Sequence, residues 1–248
     1  RNYHPDYQSY FGNSLAESST IQNESGLYFG AKYNLRKWQF AGYIDVFRFP
    51  WLKYGIDSPS SGKDLFLQFF YNPGFAWNMN LRYKFKEKEK NKTEKTVDVI
   101  SYNSHKWKYQ LDYKPNSGLA LKTQFDYNIY LDEFGKTSGW AISQTIGYKN
   151  NHSKFHIDFS FAYFDAINWN NRIYSYEKNI LYVFNAPSYY GEGIRYYTTF
   201  KWNICPVLNL YTKISTFHYF DKNAIGSGLE EINKKEKTEI NFILKVIF

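Results

Sequence analysis

The chain has 248 residues, of which 22% are aromatic and 22% charged, with 25 tyrosines and a net charge of +8; its mean hydropathy is -0.60. That balance is too polar for membrane-spanning helices, and no apolar run reaches the ~18 residues that such a helix needs. It is also too aromatic for an average soluble domain. A single cysteine, Cys205, excludes an internal disulfide and a paired-thiol metal motif.

Taken in chain order, the sequence predicts strands with one oily face. A weak first strand is expected over Tyr3 to Phe11. Leu27, Phe29, Tyr33 and Leu35, then Trp38, Phe40, Ile44 and Val46, alternate loosely. The pattern sharpens in Leu65, Leu67, Phe69 and Tyr71, and in Phe75, Trp77, Met79, Leu81, Tyr83 and Phe85, set against Asn78, Asn80, Arg82 and Lys84. Trp107, Tyr109, Leu111 and Tyr113 oppose Lys108, Gln110 and Asp112; Leu121, Phe125, Tyr127 and Ile129 oppose Lys122, Gln124, Asp126 and Asn128. Phe155, Ile157, Phe159, Phe161 and Tyr163 oppose His156, Asp158 and Ser160, and Ile194, Tyr196, Phe200 and Trp202 oppose Arg195, Tyr197, Thr199 and Lys201. Ile240, Phe242, Leu244, Val246 and Phe248 close the chain. This is period two, the signature of strands.

Connections alternate between short and long. Turn chemistry marks residues 35–37, Pro73-Gly74, residues 115–118, 150–152 and Cys205-Pro206. Between them, long polar loops are expected over 13–25, 49–63, 86–99, 132–138, 165–192 and 221–235. The Lys- and Glu-rich stretch from Lys84 to Lys95 is assigned to a solvated external loop.

This combination predicts an all-β, transmembrane, antiparallel up-and-down β-barrel of about 12 strands, formed as one unit by residues 1–248. Its apolar residues would face lipid, with Trp38, Trp77, Trp107, Trp140, Tyr113, Tyr148 and Tyr163 in interfacial girdles. A soluble sandwich or lipocalin-like barrel also alternates, but with its apolar residues inside. Phe248 is assigned as the insertion signal of the last strand. Arg1 stands where no initiator Met or signal peptide remains, so the chain is expected to be a processed form or a segment of a longer protein.

The inward rows carry both signs of charge: Arg82, Lys84, Lys108, Asp112, Lys122, Asp126, His156, Asp158, Arg195, Lys201, Lys213 and Lys245 are the expected lumen-lining residues, with Lys32, Asp45 and Glu239 beside them. In a bore narrower than a porin's, such a network constricts or closes a channel. Two aromatic, Pro- and Gly-containing loops offer Trp51 and Tyr54, and Tyr174, Tyr176, Tyr182, Tyr189 and Tyr190, as plug or contact residues. Inward packing and contact with another outer-membrane protein rank above ligand binding for these loops. His156, Asp158 and Ser160 share one strand face, but residues two apart lie roughly 6.5 Å apart along a strand and residues four apart roughly 13 Å. Hydrogen-bond reach is about 3 Å, so no catalytic triad is expected. His105 and His218 show no evident partner. No catalytic residue, metal or cofactor is assigned, and the aromatics follow a lipid-facing period that argues against a nucleic-acid surface.

The stretches YQSYFGNSLAESSTIQNESGLYFGAKYNLRKWQF, FRFPWLKYGIDSPSSG and RIYSYEKNILYVFNAPSYYGEGIR resemble the C-terminal barrel region of large outer-membrane proteins of Bacteroidota, which are commonly preceded by helix-hairpin-helix repeats. The helical part is missing here. The resemblance implies a surface-exposed barrel in the outer membrane of a Gram-negative bacterium, in contact with the bilayer and lipopolysaccharide and inserted by the barrel-assembly machinery. The leading expectation is a narrow or gated channel or uptake protein. A non-conducting subunit of a surface complex comes second and an outer-membrane hydrolase third.

Overall fold

The computed structural model describes residues 1–8, 12, 14–74, 76–92, 98–150, 152 and 154–247. It contains β1 (Asn2–Tyr3), β2 (Glu24–Leu35), β3 (Trp38–Phe49), β4 (Ser60–Tyr71), β5 (Trp77–Asn91), β6 (Val99–Tyr113), β7 (Leu119–Asp132), β8 (Gly135–Asn150), β9 (Phe155–Ala166), β10 (Ile173–Tyr174), β11 (Ser188–Tyr189), β12 (Gly191–Cys205), β13 (Leu208–Tyr219) and β14 (Glu236–Val246). Twelve of these form one up-and-down sheet in the order β1 to β9, β12, β13, β14, while β10 and β11 pair separately. Adjacent strands run antiparallel with long ladders, such as Leu27↔Val46 to Leu35↔Trp38 in β2–β3 and Gly191↔Ala166 to Trp202↔Phe155 in β12–β9. The short turns fall where turn chemistry predicts them. Arg36 takes a left-handed φ of 48° between β2 and β3, and Asn116 accepts from the amides of Gly118 and Leu119 at 3.0 and 2.8 Å.

Three expectations are corrected. The first strand is only Asn2–Tyr3, because the His4 carbonyl accepts from the Tyr7 and Asn23 amides and turns the chain away; Phe11 lies outside the described residues. The expected loop from Lys86 begins much later, since β5 runs to Asn91. There, alternation of charge sign replaces alternation of hydrophobicity: Lys84, Lys86, Lys88 and Lys90 continue the Arg82 face, and Glu87 and Glu89 the other. The connection expected over 132–138 is a two-residue turn, Glu133-Phe134, in which Asp132 Oδ1 accepts from the Phe134 amide at 3.0 Å and Gly135 adopts φ 136°. That φ favours glycine over any side chain.

The chain divides into two compact units. One comprises Arg1–Phe70, Leu81–Trp107 and Ile129–Thr137; the other comprises Tyr71–Asn80, Lys108–Asn128 and Ser138–Phe248. Each has the same inverted burial. In the first, Leu27 is 77% exposed, with Phe29, Tyr33, Ile44 and Val46 also exposed, while Glu24, Asp45 and Asp64 are buried. In the second, β9 exposes Ile157, Phe159 and Phe161 and buries Asp158 and Ser160. There, β13 exposes Ile214 and buries Lys213 and Ser215, and β14 exposes Ile240 (70%), Phe242, Leu244 and Val246. A conventional apolar cluster is also present in this second unit, where Ala141, Ala162, Phe164, Ile173, Tyr189 and Tyr219 pack together with Phe217 and Ile225 against them.

Candidate functional site

The connection between β9 and β12, residues 167–190, folds back onto the polar face of its own unit. It is a hairpin. The β10–β11 pairing (Ile173↔Tyr189, Tyr174↔Ser188) is extended by the Ser175 amide on the Pro187 carbonyl and the Glu177 amide on the Asn185 carbonyl, both at 3.2 Å. Strand periodicity then sorts the side chains: Asn171, Ile173, Ser175 and Glu177 are buried and Tyr174 and Tyr176 are exposed. A 3-10 turn at Trp169–Asn171, capped by the Asn168 side chain, starts the hairpin. Arg172 stacks over the Trp169 ring at 4.4 Å and donates to the Tyr174 hydroxyl at 2.9 Å. From β7, Asn128 Nδ2 donates to the carbonyls of Asn171 and Arg172 at 3.2 and 3.1 Å. Gly139 permits the close approach, since a Cβ there would stand 2.9 Å from Ala166 Cβ and 3.1 Å from Asn171 Cβ. Tyr189 stacks on Phe164 with ring centroids 5.0 Å apart, and burial, with Glu177 nearby, pushes its hydroxyl pKa well up.

Glu177 latches the hairpin. Its carboxylate accepts Arg195 Nε at 2.8 Å and Nη2 at 3.0 Å from β12, and Lys213 Nζ at 2.7 Å from β13. Side-chain exposure is 1% for Glu177, 1% for Arg195 and 0% for Lys213, so two cations share one carboxylate out of contact with solvent. Aromatic faces take up part of the remaining charge: Arg195 lies 4.3 Å from the Phe217 ring and Lys213 4.7 Å from the Tyr197 ring. Next to the latch, Lys178 pairs with Asp158, which also accepts Thr199 Oγ1 at 3.2 Å, and the Lys178 amide donates to the Tyr197 hydroxyl at 3.2 Å. Gly147 leaves room for this pair, since a Cβ there would meet Asp158 Oδ1 at 2.5 Å.

His156 corrects the spacing argument. Its Nε2 lies 3.2 Å from Asp158 Oδ1, because strand side chains lean along the strand and close a gap that the backbone rise alone would leave open. The Ser160 hydroxyl, for its part, bonds Thr145 Oγ1 at 2.9 Å. His105 and His218 likewise have partners, the Tyr83 hydroxyl at 2.9 Å and Glu236 at 2.7 Å. Among the described residues, no group of three or more His, Cys, Asp and Glu side chains could hold a metal ion.

The other expected lumen residues are placed as follows. In the second unit, Lys108 pairs with Asp126 at 3.1 Å, Asp112 accepts from Gln110 at 2.6 Å, and Lys122 is half-buried. Lys245 lies 5.9 Å from the Tyr182 ring, and Lys201, exposed, 5.4 Å from the Tyr211 ring. In the first unit, Arg82 is half-buried, Lys84 pairs with Asp64 at 3.1 Å, and Lys86 bridges Asp64 at 2.9 Å and Glu17 at 2.7 Å. Lys88 also pairs with Glu17, and Arg1 pairs with Glu24 and Asp45. Burial raises the Glu17 pKa, but hydrogen bonds from Lys86 and Lys88 more than offset it, so the group is held below the usual carboxylate range. In the loop after β3, burial and then Lys88 hold Lys53 down to about 8.

Of the loop aromatics, Tyr189 is buried and Tyr190 packs edge-on against Trp169 at 5.1 Å under Lys222. Trp51, Tyr54, Tyr174, Tyr176 and Tyr182 are exposed. Phe248 lies outside the described residues. The expected residues omit Glu177, Lys178, Glu17 and Asp64, yet the buried-exposed alternation of Ile173, Ser175 and Glu177 against Tyr174 and Tyr176 was readable as a strand inside a loop. No protein-family model matches the chain, and no curated protein matches it either.

Proposed function

We propose that the chain is an outer-membrane β-barrel whose passage is closed at rest by the latched hairpin of residues 167–190. One observation carries this reading: aliphatic and aromatic side chains fill the exposed faces of the strands while Asp, Lys, Arg and Glu fill the buried ones. Fully burying one such apolar side chain contributes about 1.5–3 kcal/mol, so a water-soluble sheet with Leu27, Phe29, Phe159, Phe161, Ile214, Ile240 and Phe242 outside would forgo most of its driving force. Hydrocarbon solvent removes that conflict.

Strand length supports the same reading, since the full-length strands run from 11 residues in β14 to 16 in β8, against the about 9–11 that cross a bilayer when tilted. Exposed Trp38, Trp77, Tyr113, Tyr148 and Trp202 stand at the short-turn ends of their strands, where an interfacial girdle belongs. The latch then makes the channel conditional: with Glu177 docked, the hairpin crosses polar-face residues of β7, β9, β12 and β13.

Planar-bilayer recording of the folded, heat-modifiable chain tests this. Long closed periods broken by ion-selective openings are expected. A chain that inserts and stays silent even with the latch removed would refute the channel. It would favour a second reading, docking of another surface protein, for which the exposed Tyr182 and Phe184 rings of the hairpin tip are the contact surface.

A further inference from the structure

Below the hairpin tip, the second unit holds a cavity of about 260 Å³ lined by His156, Asp158, Tyr176, Lys178, Lys201 and Tyr211, among others. From its chemistry we infer that it binds an anionic monosaccharide, a ring of that size bearing a carboxylate or phosphate. The inference rests on the channel reading for the ligand's route in and names its solute class.

Charge comes first. Two ammonium groups and an imidazole face one carboxylate, and that carboxylate is already committed to Lys178, His156 and Thr199. Lys201 has no ion-pair partner among the described residues, and its ammonium lies 5.4 Å from the Tyr211 ring. Its side chain is exposed, and those of Lys178 and His156 are 43% and 37% exposed, so their remaining donors are free to meet a solute. The cavity therefore holds surplus positive charge, and a charge-assisted hydrogen bond to an anion is about twice as strong as a neutral one.

Shape and surface fix the rest. The volume lies just below the roughly 300–1,000 Å³ of sites for drug-sized ligands, which suits one sugar ring better than a nucleotide or peptide. Tyr176 and Tyr211 supply apolar ring faces for the C–H surface of a pyranose, and Asn179 and Thr199 supply amide and hydroxyl partners for its hydroxyl groups. A purely electrostatic cage would need neither tyrosine.

The test is calorimetric titration of the folded chain in detergent with glucuronate, glucose 6-phosphate and neutral glucose. Binding of at least one anionic sugar, absent for glucose and weakened by salt, is expected. Lys201→Gln should reduce affinity about tenfold or more and Lys201→Arg should restore most of it. As Lys201 is an exposed residue on an intact strand, its heat-modifiable band should be unchanged. No binding of either anion, equal binding of glucose, or an unchanged affinity in Lys201→Gln would overturn the inference. Binding in a chain that never conducts would refute the channel while leaving the pocket standing, so the two failures are distinguishable.

Discussion

Removal of the Glu177 carboxylate is the most informative perturbation of the latch. Glu177→Gln keeps the shape but cancels the charge that pairs directly with Arg195 and Lys213, both buried behind the hairpin. Breaking a buried ion pair from one side costs about 3–5 kcal/mol, because the stranded charge has neither water nor partner. The cost falls on the docked state alone, since the undocked hairpin lets water reach both cations. At about 1.36 kcal/mol per tenfold, the opening equilibrium should move by roughly a hundredfold to several thousandfold. Ile173 and Tyr189 still hold the hairpin base by apolar burial, each worth about 1.5–3 kcal/mol, so the tip at 178–184 should open while the base stays docked. Limited proteolysis should show new cleavage within 178–184, and planar-bilayer recording a large rise in open probability. Both readouts unchanged in a variant that keeps its heat-modifiable band would refute the latch.

Other outcomes follow from particular contacts. Gly139→Ala places a Cβ against Ala166 and Asn171, so it should loosen the hairpin base by about 1–3 kcal/mol; unchanged proteolysis around Trp169 would contradict this. With the Glu17 pKa depressed in the docked state, the tie from Glu17 to Lys86 and Lys88 is fully present above the ordinary carboxylate pKa and is lost as pH falls below it through the depressed value. Proteolysis near Glu17 should therefore rise as pH falls below the ordinary carboxylate value of 4.5, and not in Glu17→Gln, where the tie is already gone. Lys53 is held down to about 8, so between there and its ordinary value the undocked loop binds more protons and docking strengthens as pH rises. An amine-reactive label applied near pH 8 should modify Lys53 ahead of the surface lysines, and equal rates would contradict its lowered pKa.

Much of the sheet was legible because its signal is local. In β9 and β12 every second residue declares its face, and turns such as Pro115-Asn116-Ser117-Gly118 carry their own hydrogen-bond chemistry. Where hydrophobicity gives way to charge, as in Lys84 to Asn91, the period persists but its alphabet changes, and the strand reads as a loop. The turn at Glu133-Phe134 was hidden because a single Gly135 with positive φ does the work expected of a longer segment. The latch was illegible for a different reason: Glu177 meets Arg195 and Lys213 only after β12 and β13 are paired and the hairpin has folded back over them. His156 and Asp158 show the limit of counting rise along a strand when a long side chain leans along it.

The central claim, that the apolar faces are solvated by lipid, is tested most directly by unfolding Phe159→Arg in phospholipid vesicles. Phe159 lies near the middle of β9 on the exposed face, so a bilayer should make the arginine cost about 2–4 kcal/mol relative to the wild type. A change within about 0.5 kcal/mol, as for a water-facing surface residue, would contradict the account.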